Sequence, residues 1–227
     1  MTEALEEHYG YLSDRVKLER YQAAIEKVVQ SNHVVLDLGC GSGLLGLLAL
    51  KAGARKVLFV EQAPIIEVAC RTVTEAGFED RAQFFHANSF ELTLPERVDV
   101  VLCDHVGYFG FDYGVIDLLA DAKSRFLKTG GITIPAAVEI QLAPVESTSA
   151  RALVQRWRDN SVLEDYDWVA TPAANTNHGV DLASDNLLSD GRSLATLALG
   201  EDADDFLTWQ AEFSCSRDAQ LDGLLGW

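Results

Sequence analysis

The sequence predicts an α/β fold in which a doubly wound, mostly parallel sheet precedes a smaller, β-rich region. Three observations indicate this architecture. Short apolar strands alternate with helix-like segments from residue 34 to residue 145. A glycine-rich turn joins the first strand to the helix that follows it. Beyond residue 144 the sequence becomes polar and the alternation stops. We therefore predict one domain at residues 1–143 and a second, incomplete domain at residues 144–227.

The elements of the first domain follow from hydrophobic periodicity. Strands are short apolar runs, and helices repeat their apolar positions every three or four residues. In chain order the predicted elements are a helix at 21–30, a strand at 34–38, a helix at 44–52, a strand at 57–61, a helix at 64–76, strands at 82–86 and 98–103, a helix at 115–127 and a strand at 132–142. Ligands of such sheets bind beyond the carboxyl ends of the strands, so those ends hold the candidate site residues.

The second domain is predicted from fewer signals. Residues 147–190 are polar with little periodicity, and two β-like runs follow at 193–199 and 206–214. The turn-forming segment RDAQLDG predicts a hairpin whose second strand ends at Trp227. An apolar edge strand without a partner is unfavourable, so we expect the natural chain to continue beyond this residue.

The composition is that of an ordinary globular protein, with 48% hydrophobic and 23% charged residues. Its net charge of −17 at pH 7 argues against binding to a nucleic-acid backbone, which requires clustered Lys and Arg. The same charge would attract a cationic substrate. The N-terminus lacks the apolar core of a signal peptide, and no apolar run reaches the length of a membrane span. We expect a cytoplasmic protein with neither a nucleic-acid nor a membrane partner.

The four cysteines predict neither a metal site nor a disulfide framework. They show no C-x-x-C spacing and no companion histidine cluster. Cys40 and Cys103 lie at strand ends, where a small buried side chain is a simpler interpretation than a nucleophile.

A glycine-rich turn after the first strand is the strongest functional signal. The segment VVLDLGCGSG places an acid, Asp37, just before Gly39 and Gly41. Glycines allow a sharp turn and a close approach of the backbone to a ligand. Glu61 ends the next strand, where its carboxylate can accept two hydrogen bonds from a ribose diol. The sequence therefore predicts a nucleoside-cofactor site, and the details favour S-adenosylmethionine.

A dinucleotide is the competing interpretation of this turn. Gly41, Gly43 and Gly46 satisfy the pattern G-x-G-x-x-G, and an acid follows at about the expected distance. However, a pyrophosphate would make the carboxylate of Asp37 electrostatically costly, whereas a sulfonium with an ammonium group would favour it. The first glycine after the strand is Gly39, which shifts the spacing away from the dinucleotide pattern.

With these motifs the chain resembles the protein arginine methyltransferases, a branch of the class I S-adenosylmethionine-dependent methyltransferases. The resemblance is carried by HYGYLSDRVKLERYQAAI, VLDLGCGSGLLGLLALKAGARKVLFVE, LPERVDVVLCDHVGYF, FLKTGGITIPAAVEIQL and FSCSRDAQLDGLLGW. It implies a Rossmann-like methyltransferase sheet at 1–143 that binds S-adenosylmethionine, followed by a partial β-barrel domain at 144–227. It also implies methyl transfer to the nitrogen of a protein arginine, and a homodimer.

The motifs and the resemblance together predict the cofactor contacts. Lys17 stands where the family has an arginine that grips the cofactor carboxylate. The family's adenine acceptor falls on Phe90, which cannot accept a hydrogen bond, so Asn88 or Glu91 would serve. The predicted cofactor-binding residues are His8, Lys17, Asp37, Gly39, Cys40, Gly41, Glu61, Gln62, Asn88 and Ser89.

The acceptor site is predicted in the loop that follows the strand at 98–103. Where the family has two glutamates that clamp a guanidinium, this chain has Asp104 and Tyr113, with Asp112 beside the tyrosine. His105 takes a position that the family usually gives to tryptophan, and it is a candidate general base. The predicted catalytic residues are Asp104, His105 and Asp112, and the predicted substrate-binding residues are Tyr108 and Tyr113.

Two alternatives to arginine methylation stay open at this point. A small-molecule methyl acceptor would use His105 or Asp104. A catalytically silent, cofactor-binding homologue would act as a scaffold, and the altered pair of acids favours it. Methyl transfer needs a nucleophile held in line with the methyl group, so either enzyme depends on precise positioning by this loop.

Overall fold

The computed structural model describes residues 2–107, 109–110, 113–159, 164–201 and 207–227. The helices are α1 (Thr2–Ser13), α2 (Arg15–Val28), α3 (Leu44–Lys51), α4 (Ile66–Glu75), α5 (Val115–Arg125), α6 (Thr148–Gln155) and α7 (Ala170–Ala174). The strands are β1 (Val34–Leu38), β2 (Lys56–Glu61), β3 (Ala82–His86), β4 (Val98–Leu102), β5 (Leu127–Ile134), β6 (Ala137–Val145), β7 (Arg192–Ala198) and β8 (Gly223–Gly226). In these ranges no helix combines the length and the apolarity needed to cross a membrane.

Strands β1 to β5 form a five-stranded sheet in the order β3-β2-β1-β4-β5. The neighbouring strands in it are parallel. The end of β1 lies beside those of β2 and β4, with Leu38 opposite Val60 and Asp37 opposite Leu102. The predicted α/β fold with a parallel Rossmann-like sheet is confirmed. Its topological switch point, where the strand order reverses, lies beyond the ends of β1 and β4.

Helices cover both faces of this sheet because successive side chains of a strand point to opposite faces. On one face Val35, Val57 and Phe59 belong to a core shared with α2, α3 and α4. On the other face Leu36 and Leu58 belong to a core shared with α5. All five residues of β1 are buried, as expected of a strand at the centre of a doubly covered sheet.

The chain forms two compact units. The first comprises residues 1–107, 111–138 and 198–205, and the second comprises residues 108–110, 139–197 and 206–227. The first unit contains the parallel sheet. In the second unit β6 lies between β7 and β8, and β8 runs antiparallel to β6 with Leu142 opposite Gly226. An ion pair of 2.7 Å between Arg151 and Asp222 ties α6 to the segment that precedes β8.

The predicted single strand at 132–142 is wrong, because two strands occupy this stretch. β5 ends at Ile134 and β6 begins at Ala137, with Pro135 between them. Proline has no N–H to donate to a ladder, so regular pairing stops there. β5 pairs with β4 in the parallel sheet, whereas β6 joins the other sheet.

Three predictions for the second domain also need correction. In the described part of the chain, residues 207–214, predicted as part of a strand, belong to no strand of either sheet. Residues 147–190, predicted as irregular, contain α6 and α7, and α6 begins at an N-cap serine, Ser147, which accepts from the N–H of Ala150. β8 pairs with β6 rather than with the run before the turn, so the predicted hairpin is wrong.

Candidate functional site

The loop that follows β1 is shaped by glycines in left-handed conformations. Gly39, Gly41 and Gly43 have φ angles of 67°, 51° and 82°, which residues with a Cβ rarely adopt. The N–H groups of Gly39 and Cys40 donate to the carbonyl oxygen of Val60, at 2.9 and 3.0 Å. These bonds hold the loop against the end of β2, and α3 begins directly after Gly43. We call residues 39–43 the glycine loop.

Asp37 is a buried carboxylate beneath the glycine loop. Its side chain accepts from the N–H of Gly46 in α3 at 2.7 Å. Burial, opposed by the hydrogen bond from Gly46 and reinforced by the negative charges of Asp104 and Glu61, raises the pKa of Asp37 to about 7. A cation bound near the loop would favour the ionised carboxylate.

Glu61 ends β2 and joins the glycine loop through its side chain. One carboxylate oxygen accepts from the N–H of Gly41 at 3.1 Å, and the other accepts from the N–H of Ala63 at 2.8 Å. A carboxylate has about four acceptor positions, so each oxygen can accept a further bond. The geometry therefore leaves Glu61 able to receive the hydroxyl groups of a ribose.

The end of β4 is clamped by α2. The ammonium group of Lys17 lies 2.7 Å from a carboxylate oxygen of Asp104. One turn later along the helix, the hydroxyl of Tyr21 donates to the carbonyl oxygen of Cys103 at 3.0 Å. Burial and the neighbouring charge of Asp104 raise the pKa of Tyr21 well above its usual range, so it stays a donor. The helix thus fixes both the backbone and the carboxylate at this strand end.

Two imidazole rings lie directly against the glycine loop. A Cβ built on Gly39 would lie 2.2 Å from Cε1 of His105, and one built on Gly41 would lie 2.4 Å from Cε1 of His8. Nδ1 of His105 is buried and has no hydrogen-bond partner among the described residues. Buried polar atoms are rarely left unpaired, so this atom marks a place for a ligand group.

A series of side-chain contacts links the two imidazoles. The rings of His8 and Tyr11 meet edge to face with centroids 5.5 Å apart. The ammonium of Lys17 lies 4.9 Å from the centroid of Tyr11, and Lys17 pairs with Asp104, the neighbour of His105. The contacts therefore run from Gly41 through these side chains back to Gly39.

Three further predicted residues, Gln62 after β2 and Asn88 and Ser89 after β3, make other contacts. The side-chain oxygen of Asn88 accepts from the N–H of Phe90 at 3.1 Å and caps a 3₁₀ turn. Ser89 is buried, and its carbonyl accepts from Arg125 at 2.7 Å. The carbonyl of Gln62 lies 3.1 Å from Nε2 of His86. These residues lie just beyond the ends of β2 and β3.

The acceptor residues are described only in part. Tyr108 and Asp112 lie outside the described residues, and Tyr113 is exposed.

Cys40 and Cys103 are buried as predicted, and burial raises the pKa of Cys103 to about 12, so its thiol is unsuited to nucleophilic attack. The described residues contain no cluster of three or more potential metal ligands.

Nine of the predicted residues meet around the glycine loop, together with three residues that the sequence analysis did not predict. Those that meet are His8, Lys17, Asp37, Gly39, Cys40, Gly41, Glu61, Asp104 and His105. Gly46, Tyr11 and Tyr21 were not among the predicted site residues. The signals available were helical spacing, since Tyr11 follows His8 by three positions and Tyr21 follows Lys17 by four.

This cluster fits a nucleoside cofactor with a positive charge and an amino-acid tail. A side chain at Gly39 or Gly41 would collide with the imidazole of His105 or His8, so these close contacts require glycine. Glu61 offers free acceptor positions for a ribose, and the acidic surroundings of Asp37 favour a cation. Lys17 supplies a positive charge that a carboxylate tail requires.

Known proteins with similar sequences are methyltransferases. Residues 22–176 match the family model described as Ribosomal protein L11 methyltransferase (PrmA). Protein arginine N-methyltransferase 1 of Chlamydomonas reinhardtii is 34% identical over 142 residues, which cover 61% of this chain and 41% of that protein. Protein arginine N-methyltransferase 1 of Saccharomyces cerevisiae is 32% identical over 161 residues, with coverage of 67% and 46%. The chain spans less than half the length of these relatives.

A solved structure shares the fold. The Trypanosoma brucei PRMT1 enzyme-prozyme heterotetrameric complex with AdoHcy contains a chain that superposes with a TM-score of 0.78 at 20% identity, covering 86% of this chain and 62% of that one. At that identity the likeness concerns the fold alone. The family model covers more than half of the chain, from α2 to α7. The chain therefore belongs to this methyltransferase family, as a protein-arginine-methyltransferase-like class I S-adenosylmethionine-dependent methyltransferase.

Proposed function

We propose that the protein is an S-adenosylmethionine-dependent N-methyltransferase whose favoured acceptor is a protein arginine or another guanidine. One observation carries the proposal: the glycine loop and the carboxylates of Glu61 and Asp104 meet at the ends of β1, β2 and β4. The loop and Glu61 suit a nucleoside, and Asp104 suits a cation beside it. The similarity to arginine N-methyltransferases supports the acceptor class.

The cofactor side of the site uses the backbone and three charged side chains. S-adenosylmethionine supplies a methyl group on a positively charged sulfur, which makes that methyl electrophilic. Glu61 would accept the ribose hydroxyls, and Lys17 would pair with the carboxylate of the amino-acid tail. Asp37 would stay ionised beside the positive ligand. His8, Gln62, Asn88 and Ser89 would complete the cofactor side of the site.

The acceptor side would hold a cation in line with the methyl group. The pKa of a guanidinium lies far above neutral pH, so it arrives charged and is a poor nucleophile until its charge is localised. Asp104 would orient it through charge-assisted hydrogen bonds, with Asp112 as the second acid. Tyr108 and Tyr113 would form the walls of this pocket. His105 would act as a base only if the acceptor were neutral.

The second unit and the assembly extend the same proposal. Its three-stranded sheet would belong to a β-barrel of the kind that the family resemblance implies. A homodimer is proposed on the same resemblance. The net charge of −17 would draw cationic protein segments to the enzyme and keep polyanions away, in a cytoplasmic setting.

One observation favours a second candidate, a catalytically silent homologue that binds the cofactor. Lys17 neutralises Asp104 at 2.7 Å, and Tyr113 stands where the family has its second acid. An acid that is already paired offers less charge to an incoming cation. Such a protein would bind the cofactor and act as a scaffold.

The first test separates these functions by binding and by turnover. S-adenosylhomocysteine at 100 times its dissociation constant should stabilise the fold by about 2.7 kcal/mol in thermal unfolding. Methyl transfer should occur to a peptide that contains arginine and not to the same peptide with lysine instead. Asp104→Asn should keep ligand binding but lower turnover by about 10²–10³-fold, as loss of a positioned charged group does. The exposed Asp80→Asn variant is the matched control and should keep wild-type turnover.

Each result of this test has a defined meaning. Stabilisation by NADH without stabilisation by S-adenosylhomocysteine would make the cofactor assignment wrong. Ligand binding without methylation of any arginine peptide would support the silent homologue. Methylation of small amines that depends on His105 rather than on Asp104 would favour the small-molecule enzyme.

A further inference from the structure

The ion pair between Lys17 and Asp104 spans the two halves of the proposed site. Lys17 is the residue expected to meet the cofactor carboxylate, and Asp104 is the acid expected to meet the acceptor. In the structure they bind each other at 2.7 Å, with 31% and 29% of their side chains exposed. One ammonium group, that of Lys17, is therefore assigned to two carboxylates, that of Asp104 and that of the cofactor.

The surroundings of this pair are rich in negative charge. Burial raises the pKa of Asp37, and the charges of Asp104 and Glu61 raise it as well, so both carboxylates act on Asp37. Two uncharged groups also lie near the pair: the Tyr11 ring is 4.9 Å from the ammonium, and the Tyr21 hydroxyl is bound to the carbonyl of Cys103. A ligand carboxylate would bring a further negative charge to a place where Lys17 is already engaged.

We propose that Asp104 and the carboxylate of the cofactor's amino-acid tail compete for Lys17, so that cofactor binding frees Asp104 for a cationic acceptor. This inference rests on the proposed function. Before the cofactor binds, the ammonium neutralises Asp104 and blocks a second cation. After it binds, the ammonium turns to the ligand and leaves Asp104 with its full negative charge. The cofactor must then precede the acceptor.

The chemistry of lysine makes this exchange feasible. An exposed or half-exposed pair of this kind is weak, and the long flexible stem of lysine lets the ammonium change partners. An ammonium acts as a compact point charge, whereas the planar fork of an arginine presents five donors and can hold two carboxylates at once. The lysine at position 17 is thus the feature that makes the two carboxylates rivals.

Calorimetric titration with S-adenosylhomocysteine tests the competition without any turnover. Asp104→Asn should tighten binding by about three- to fivefold, because the weak pair no longer holds Lys17 back. In a Lys17→Gln background the same change should alter the dissociation constant by less than about 1.5-fold. In a Lys17→Arg background the gain should also disappear, since the fork can hold both groups. The matched ligand is 5′-methylthioadenosine, which lacks the amino-acid tail and should bind all variants equally.

Several results would overturn the proposal. Equal tightening by Asp104→Asn in the wild-type and Lys17→Gln backgrounds would mean that Asp104 only repels the ligand. Unchanged or weaker binding in Asp104→Asn would mean that Lys17 serves both carboxylates together. A similar change with 5′-methylthioadenosine would place the effect elsewhere than at the tail. If the wild-type protein does not bind S-adenosylhomocysteine at all, the proposed function fails together with this inference.

Discussion

The proposed cofactor and acceptor sides of the cluster around the glycine loop are held by different parts of the chain. On the cofactor side, backbone N–H groups fix the geometry, since Gly41 and Ala63 both donate to the carboxylate of Glu61. On the acceptor side, side chains do so, because Lys17 holds the carboxylate of Asp104. The first arrangement depends on the path of the chain, and the second depends on which side chains are present.

Geometry held by the backbone is preserved as long as the fold is preserved, whereas geometry held by side chains can change with a single substitution. Any sequence that keeps the glycine turn and an acid at the end of β2 keeps the part of the cofactor side that the backbone holds. The acceptor side changes with each residue, and here it has an aspartate one methylene shorter than the family's glutamate. Variants of the two sides should therefore differ in what they disrupt, and the three below test this from the largest expected effect to the smallest.

The largest effect is expected at Gly39. Gly39→Ala would place a Cβ 2.2 Å from the His105 ring in a left-handed conformation, with φ of 67°. Such overpacking costs about 1–3 kcal/mol, so affinity for S-adenosylhomocysteine should fall by up to about 100-fold, as measured by calorimetry. The matched control is Gly77→Ala, which has φ of 76° but nothing within 4 Å of the new Cβ.

The control separates backbone strain from obstruction. Both variants should lose about 1–2 kcal/mol of folding stability, because a left-handed residue with a Cβ is strained, and Gly39→Ala should lose more because it also collides with His105. Only Gly39→Ala should lose ligand affinity. If both variants bind S-adenosylhomocysteine as the wild-type protein does, the glycine loop is a structural turn and the cofactor side lies elsewhere.

A smaller effect is expected at Glu61. Glu61→Gln leaves one acceptor oxygen for the two N–H groups of Gly41 and Ala63, and removes the charge offered to a ribose. Hydrogen bonds to charged groups contribute about 1.5–3 kcal/mol, so affinity should fall by roughly 10–100-fold. The exposed Glu67→Gln variant on α4 should bind normally. Equal affinity in Glu61→Gln and wild type would contradict a ribose contact.

The parallel sheet could be predicted because local signals and tertiary packing agree there. The apolar run from Val34 to Leu38, the glycine turn and the acid at Glu61 each point to the same strand-turn-helix geometry. The second domain could not be predicted as well, since its strands pair with distant residues. β8 pairs with β6 across about 80 positions, and no local pattern encodes that partner.

The site was predictable to the extent that it follows from strand ends. Asp37, Glu61 and Asp104 lie where parallel strands finish, so topology alone brings them together. The pairing of Lys17 with Asp104 was not predictable, because it depends on how α2 packs against the end of β4. The approach of His8 to Gly41 depends in the same way on α1.

The smallest effect, counted per pH unit, is expected at Asp37, whose pKa is raised by burial and by Glu61 and Asp104 from the two sides. In the folded chain this pKa is raised to about 7, whereas 3.8 is usual for an aspartate. Between about pH 4 and 7 the folded state holds a proton that the unfolded chain has released. The free energy of unfolding should therefore fall as the pH rises through this window, by at most about 1.4 kcal/mol per pH unit from this group.

Asp37→Asn isolates this contribution, because an asparagine oxygen can still accept from Gly46 but does not titrate. Denaturant unfolding of the wild-type protein and the variant from pH 5 to pH 8 should give curves that diverge, with the variant gaining relative stability as the pH rises. Asp80→Asn should run parallel to the wild type, since that residue is exposed. At high pH, S-adenosylmethionine should reduce the difference in stability between Asp37→Asn and the wild type more than neutral S-adenosylhomocysteine does. Only S-adenosylmethionine carries a positive sulfur that favours the ionised Asp37. Parallel curves for Asp37→Asn would show that this carboxylate is ionised throughout, and that the cluster does not need a cationic ligand.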